Sequence, residues 1–313
     1  MNALLFPGQG SQIVGMGSEF YNNFEKVKKI FQEADDKLKY NISKIILNGP
    51  EDELQLTKNT QPAILTVSYS IFKVLKDEIN YDSNIFKYYS GHSLGEYSAL
   101  LSAQSLSFSD ALYLLHERGK AMQSAVPVGK GKMIAILGLK TEEVKQILQN
   151  HNEKKDICEI ANDNADGQVI VSGLRESISS LQVYLKEKKI KSIPLKVSAP
   201  FHCSLMRPAA NSMKEKINKT KFSRPVVDII NNVTAKSEKD PNIIKNLLID
   251  QIFSTVRWRE SLLYMATNGI KNYIEIGPGK ALIGMVKRTI KDANCFSINS
   301  IADIKKLNDE FKK

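Results

Sequence analysis

The feature that most constrains this chain is Gly91-His92-Ser93-Leu94-Gly95, set between an apolar run at residues 85–89 and a helical pattern at 94–103. A strand that feeds a helix through so few residues must turn sharply, and the glycines of G-x-S-x-G remove the Cβ atoms that would block the turn. The serine hydroxyl is then lifted clear of the backbone at a helix N-terminus, where free N–H groups can stabilise an oxyanion. The pattern alone is weak, since about one chain in ten of this length carries it by chance. Its flanking strand and helix give it weight against an ordinary glycine-rich turn. Strand, tight turn and helix in that order imply α/β layers. The start of the chain repeats the theme: Ala3-Leu4-Leu5-Phe6 reads as a buried strand ended by Pro7-Gly8, with helical patterns following at 24–38 and 61–75.

Residues 128–197 carry a pattern of their own. Strands at 133–137, 157–161, 168–171 and 193–197, with helices at 141–149 and 175–188, follow one another as βαββαβ, the order of a ferredoxin-like unit. Asn162-Asp163-Asn164-Ala165-Asp166-Gly167 reads as a polar turn between its second and third strands. The flanks, Val126-Pro127-Val128-Gly129 and Ser198-Ala199-Pro200, are turn-rich crossing points. The expectation is a small domain at 128–197 inserted into a large α/β domain made of 1–127 and 198–313. That larger domain holds a central parallel sheet, to which 226–231 and 273–276 add strands. The last of these runs into Gly277-Pro278-Gly279 and a helix from Lys280.

A serine nucleophile needs a base. The ring of His92, adjacent on a tight turn, should diverge from Ser93. His202, in Ala199-Pro200-Phe201-His202-Cys203, has the most site-like setting, with a hydrogen-bonded loop histidine as the plain alternative. His116 and His151 lie in helical or charged stretches. Cys203 is expected to be a small buried residue, because consecutive side chains on an extended segment point opposite ways. In 108–122, positions 108, 111, 112, 115, 118, 119 and 122 share one helical face, which places Arg118 on the core side beside Gly119. A buried guanidinium needs an anion: either an internal carboxylate or a substrate carboxylate held by two hydrogen bonds. Gly8-Gln9-Gly10-Ser11-Gln12 lacks the ending of a phosphate loop and the third glycine of a dinucleotide fingerprint, and Gly277-Pro278-Gly279-Lys280 fails both patterns. Gln9 could still offer its backbone N–H to an oxyanion beside Ser93.

Composition excludes several classes. The chain has 313 residues, 42% hydrophobic and 25% charged, which suffices for a sizeable core and argues against disorder. No run approaches the ~18 apolar residues of a membrane span, and the start lacks the basic leader of a secretory signal. Cys158, Cys203 and Cys295 form no CxxC pair and the four histidines no metal-ligand spacing, so neither a disulfide framework nor a metal site is expected, and a reducing compartment is. Net charge is +10, with denser basic runs at 186–196 and 214–224. Neither alternates aromatics with its lysines as a nucleic-acid platform would. The charge permits an acidic partner without naming one.

Taken together, the motifs resemble the malonyl-CoA:acyl carrier protein transacylase family of fatty acid synthesis. The resemblance rests on Phe6-Pro7-Gly8-Gln9-Gly10-Ser11-Gln12, Gly91-His92-Ser93-Leu94-Gly95-Glu96-Tyr97-Ser98-Ala99, Glu117-Arg118-Gly119 and Ala199-Pro200-Phe201-His202. Gln251 ahead of Val256-Arg257-Trp258 and Glu275-Ile276-Gly277-Pro278-Gly279 complete it, in the family's order along nearly the whole chain. It implies an α/β-hydrolase-like large domain, Ser93 as the acylated nucleophile and His202 as base and later acid. It places a backbone carbonyl at Gln251 behind that histidine, the N–H groups of Gln9 and Leu94 in an oxyanion hole, Arg118 on the free carboxylate of malonate, and Asn162 in the pocket. The implied reaction is ping-pong transfer of malonyl from malonyl-CoA to the phosphopantetheine thiol of an acidic, transiently bound acyl carrier protein, with no cofactor, metal, nucleic acid or membrane. A monomer is expected, in the cytoplasm or as the mature form in an organelle. Phe201 beside His202 favours malonyl over methylmalonyl. One departure is visible: the family's Asn-x-Pro-x-Gln turn reads Asn164-Ala165-Asp166-Gly167-Gln168, with Asp166 for proline. A serine esterase, a polyketide-type acyltransferase and a non-catalytic binding module are the alternatives.

Overall fold

The described residues form ten strands: β1 (Asn2–Phe6), β2 (Phe86–Gly91), β3 (Gly131–Leu137), β4 (Cys158–Ala165), β5 (Gln168–Leu174), β6 (Ser192–Pro194), β7 (Asp228–Ile230), β8 (Ser237–Glu238), β9 (Asn272–Ile276) and β10 (Asn294–Ile298). They come from a computed structural model that describes residues 1–78, 85–151, 157–197 and 199–311. The larger sheet has the order β10-β9-β1-β2-β7-β8, parallel except for the β7–β8 pair. β1 sits in its middle. A strand covered on both faces has no solvent side to mark by alternation, and Ala3-Leu4-Leu5-Phe6 is accordingly apolar throughout and fully buried.

The helix Phe108–Ser124 opens at Ser107, whose hydroxyl accepts the Asp110 N–H at 3.0 Å. It packs closely on the long helix Thr57–Glu78: a Cβ on Gly119 would lie 2.5 Å from Thr57 O. The neighbouring Arg118 is thereby carried into the interior, where it is 1% exposed.

The second sheet, β4-β5-β3-β6, is antiparallel throughout, and the helices Thr141–His151 and Arg175–Glu187 complete the βαββαβ order. Alternation along β3 explains its position. Ile134 and Ile136 pack with Leu181 and Leu185 of the covering helix, while Met133 and Ala135 join the main core on the other face.

Of the boundaries that differ from the sequence reading, three have a cause visible in the hydrogen bonding. The polar stretch 162–167 is mostly strand, not turn, because β4 continues to Ala165. Val256 N donates to Ala161 O and Asp163 N to Val256 O, both at 2.9 Å, so the segment before the helix Trp258–Thr267 satisfies the backbone of β4. Arg259 adds an ion pair to Asp163 at 2.9 Å. Only Asp166-Gly167 turns, with Gly167 at φ 74°. β6 ends at Pro194: Leu195 N still donates to Met133 O of β3 at 3.0 Å, but Val197 N then folds back to Leu195 O. β7 starts at Asp228 rather than 226, since Val226 N bonds Ala103 O. Ser198, expected at a crossing point, lies outside the described residues.

β2 reaches its helix, Gly95–Ser102, through a turn pressed against the end of β1. A Cβ on Gly95 would collide with Phe6 O and lie 2.9 Å from Pro7 O. Gly95→Ala is therefore expected to lower stability by about 1–3 kcal/mol, read as a drop in the urea midpoint; a midpoint equal to that of the parent chain contradicts this packing.

Candidate active site

The turn after β2 puts Ser93 at φ 55°, a left-handed conformation that costs free energy for any residue with a Cβ. Buried amides hold it there. Asn232 Oδ1 accepts the Ser93 N–H at 2.7 Å, while Asn232 Nδ2 donates to Gly91 O at 2.8 Å, so one side chain grips the turn before and at the serine. Gln251 Nε2 donates to Ser93 O at 3.0 Å and to Glu96 Oε2 at 2.7 Å. Glu96 Oε2 also accepts the Asn232 N–H at 3.0 Å. All three residues of this network are buried.

His202 completes the pair. Its Nδ1 lies 2.9 Å from the Gln251 carbonyl. A carbonyl can only accept, so Nδ1 carries the hydrogen and Nε2 is left with a lone pair. That lone pair faces Ser93 Oγ at 2.8 Å, the arrangement of a base ready to take the serine proton. His92 turns away, as expected: its Nε2 meets Asn164 Oδ1 at 2.9 Å and its ring lies edge-on to Trp258. Cys203 is fully buried, its thiol donating to Pro200 O, and burial pushes that thiol up to about 11, so it is no nucleophile near neutral pH.

Arg118 stands over the same oxygen. Its Nη2 donates to Ser93 Oγ at 3.1 Å and to Gln251 Oε1 at 2.8 Å, and its Nη1 to Gln61 Oε1 at 2.9 Å. Among the described residues no carboxylate lies within ion-pair distance of it. The internal anion weighed from the sequence is thus present only at one remove, as Glu96 beyond the Gln251 amide. Neutral amides orient the guanidinium without neutralising it, which leaves its charge for an incoming anion.

These surroundings set the proton affinities. Burial, reinforced by the Arg118 cation, pushes the His202 imidazole down to about 3, against the raising effect of the Gln251 carbonyl. Burial lifts the Glu96 carboxyl to about 7, with the Asn232 and Gln251 hydrogen bonds and Arg118 opposing it. That direction favours the neutral imidazole, whose Nε2 keeps its lone pair.

Ser93, His202, Arg118, Gln9, Asn162 and Phe201 all line one cavity of about 520 Å³, open to solvent. The basic run 186–196 reaches its rim, since exposed Lys196 is a lining residue. Leu94 and Gln251 are not on the wall. Leu94 directly follows Ser93, and the carbonyl three residues back, Gly91 O, accepts from Asn232 Nδ2; Gln251 lies buried behind Arg118. Sequence reasoning gave no role to Gln61, Glu96, Asn164 or Asn232. Glu96 left one usable signal, a charged residue in the otherwise uncharged segment Gly95–Ser102, every residue of which is buried. The others are neutral amides from separate segments, which no periodicity brings together.

A family model described as an acyl transferase domain matches residues 3–312. A malonyl CoA-acyl carrier protein transacylase of Bacillus subtilis is 43% identical over 288 residues, covering 91% of this chain and 89% of the relative. The crystal structure of an acyl-carrier-protein S-malonyltransferase from Bartonella henselae superimposes with a TM-score of 0.95 at 39% identity, over 100% of this chain and 99% of that one. A malonyl-transacylase solved in complex with a holo acyl carrier protein of a type II polyketide system has a TM-score of 0.94 at 35% identity, covering 99% of each chain.

The depressed imidazole has a kinetic consequence. Sulfonylation of Ser93 by phenylmethanesulfonyl fluoride should be within about twofold as fast near pH ~5 as near pH ~8. An ordinary imidazole, ionising near ~6.5, would be mostly protonated at the lower value and the rate about thirtyfold smaller. An inflection in the ordinary histidine range contradicts the burial of His202.

Proposed function

The chain belongs to the acyl transferase domain family, and we propose that Ser93 and His202 carry out its chemistry while Arg118 selects the acyl group. It transfers malonyl from malonyl-CoA to the phosphopantetheine thiol of acyl carrier protein. In the first half, Ser93 Oγ gives its proton to His202 Nε2 and attacks the thioester carbonyl carbon. The N–H groups of Gln9 and Leu94 receive the developing oxyanion, each such donor being worth ~10²–10³ in rate. Collapse breaks the C–S bond, and the coenzyme A thiolate leaves with the proton from Nε2. In the second half, the carrier thiol gives its proton to the same nitrogen and attacks the malonyl-serine ester, and Ser93 takes the proton back as it leaves. No metal or cofactor is needed at any step.

The observation that carries this reading is the convergence on Ser93 Oγ of a lone-pair-bearing imidazole at 2.8 Å and an uncompensated guanidinium at 3.1 Å. The imidazole explains a nucleophile. The guanidinium explains why the acyl group should bear a carboxylate: malonate can replace the amide and hydroxyl partners of Arg118 with a two-point charge-assisted contact. A serine esterase would share the elbow and the histidine but has no use for that buried cation.

Several finer points belong to the same proposal. Residues 128–197 act as a ferredoxin-like insert in an α/β-hydrolase-like body formed by 1–127 and 198–313, a division supported by the pairing of the second sheet. Asn162 serves as a pocket residue on the wall this insert provides, and the Gln251 side chain supports Arg118 from behind. The carrier is acidic and transiently bound, drawn by the +10 charge. The protein works as a cytoplasmic monomer; among the described residues no helix is long and apolar enough to cross a membrane.

Arg118→Ala should reduce kcat/KM for malonyl-CoA while sparing acetyl-CoA, so that the malonyl-to-acetyl preference falls about a hundredfold, the worth of a pair of charge-assisted hydrogen bonds. A preference unchanged in steady-state assays with the two donors contradicts the assignment.

A further inference from the structure

Gly277-Pro278-Gly279 stood out in the sequence, yet the mechanism leaves it without a task. Its place in the sheet suggests one. In the order β9-β1-β2, three adjacent parallel strands each end in a glycine turn. β9 ends in Gly277-Pro278-Gly279, β1 in Pro7-Gly8-Gln9-Gly10, and β2 in the turn that presents Ser93. The middle turn is wedged between the other two. On the nucleophile side, a Cβ on Gly8 would lie 2.5 Å from His92 O, His92 N donates to Phe6 O at 3.0 Å, and Gly95 allows no Cβ against Phe6 O. On the far side, Gly277 has φ 139°, and a Cβ there would come within 2.7 Å of Pro7 Cγ and 2.9 Å of Pro7 Cδ, besides colliding with Ser68 Oγ. Each face of Pro7-Gly8 thus meets a neighbouring backbone at a distance only glycine permits.

The outer turn is itself pinned. Glu275 accepts the N–H groups of Leu282 and Ile283 at 3.3 and 2.9 Å, at the start of the helix Ala281–Thr289. Asn299 Nδ2 and Ser297 Oγ donate to Gly279 O at 2.7 and 3.0 Å. With the turn held on its own far side, an atom added at Gly277 bears on the Pro7 ring. Ser11 Oγ bonds Gly8 O at 2.8 Å, which makes the Gly8–Ser11 loop move with its root.

We propose that Gly277 is a positioning residue for catalysis: through Pro7 it sets where the Gln9 N–H points, and so how well the oxyanion is held. This rests on the reading of Gln9 as an oxyanion donor. An oxyanion donor acts on the transition state and little on bound substrate. Misplacing it should therefore slow the acyl-transfer step while leaving donor binding and the ionisation of His202 alone.

The test is single-turnover acylation of the full chain by malonyl-CoA, across donor concentration and pH, in Gly277→Ala and in Ser68→Ala/Gly277→Ala. The double variant keeps the clash with Pro7 but removes the one with Ser68, whose buried hydroxyl has no hydrogen-bond partner among the described residues. The expected result in both is an acylation rate lowered about ten- to a hundredfold, bounded by the loss of one oxyanion donor. Half-saturation by malonyl-CoA should stay within about threefold and the pH profile should be unmoved. Folded variants with a rate within about twofold of the parent overturn the proposal, as does a loss carried wholly by weaker donor binding. If neither variant folds, Pro7→Ala, which removes the ring atoms Gly277 supports, must slow acylation in the same selective way, and a parental rate overturns the proposal. Gln9→Pro separates the premise from the inference. It deletes the N–H, so a parental rate there means that Gln9 is no oxyanion donor. A slow Gln9→Pro beside a fast Ser68→Ala/Gly277→Ala means that Gln9 matters and Gly277 does not position it.

Discussion

The site depends on holding Ser93 in a left-handed turn that its own side chain disfavours. The turn's own backbone bonds are supplemented by side chains distant in sequence, one of them just beyond the adjacent strand β7. Asn232, which follows β7, bonds both the Gly91 carbonyl and the Ser93 amide, and it is tied to Glu96 and Gln251. Since Gln251 also presents the carbonyl that orients His202, a single buried network fixes the strain at Ser93 and the tautomer of His202. Loss of any one member leaves the others as unsatisfied buried polar groups, so the arrangement is held as a whole.

The second constraint is electrostatic. A guanidinium in a protein interior is expensive without an anion, and the direct partners of Arg118 are all neutral: amides, a hydroxyl and the face of the Tyr97 ring. The Gln251 amide stands between it and Glu96, the one carboxylate of the network. The site is in consequence cationic when empty, and the same charge that would welcome malonate also depresses His202. A substrate carboxylate seated on Arg118 would weaken that depression. The base would then gain proton affinity when it is required to take the serine proton.

Much of this was legible in the sequence, for physical reasons that can be named. The elbow could be read because a strand and a helix joined by so short a turn, with a glycine on each side of the serine, admit few geometries. Arg118 could be read because helical periodicity tells which face is buried, whatever residue occupies it. The βαββαβ order followed from apolar runs alternating with helical patterns, together with helix-start residues and turn-rich flanks. The polar stretch 162–165 misled because its side chains are polar although its backbone is paired on both sides, with β5 of the same hairpin and with Val256, and side-chain polarity does not report backbone pairing. Asn232 and Gln61 were invisible for a similar reason: a neutral amide has no preferred face, and its role exists only in its partners. For Arg118 the sequence posed the choice between internal carboxylate and substrate, but not the answer that amides intervene.

The central claim is that Ser93 carries the malonyl group between two thiols. Intact-protein mass spectrometry after mixing with malonyl-CoA, followed by holo acyl carrier protein, tests it most directly. The account predicts one malonyl adduct, mapping to the Ser93 peptide, that persists until the carrier is added and then appears on the carrier. An adduct on another residue, or one lost equally fast without the carrier, would contradict it.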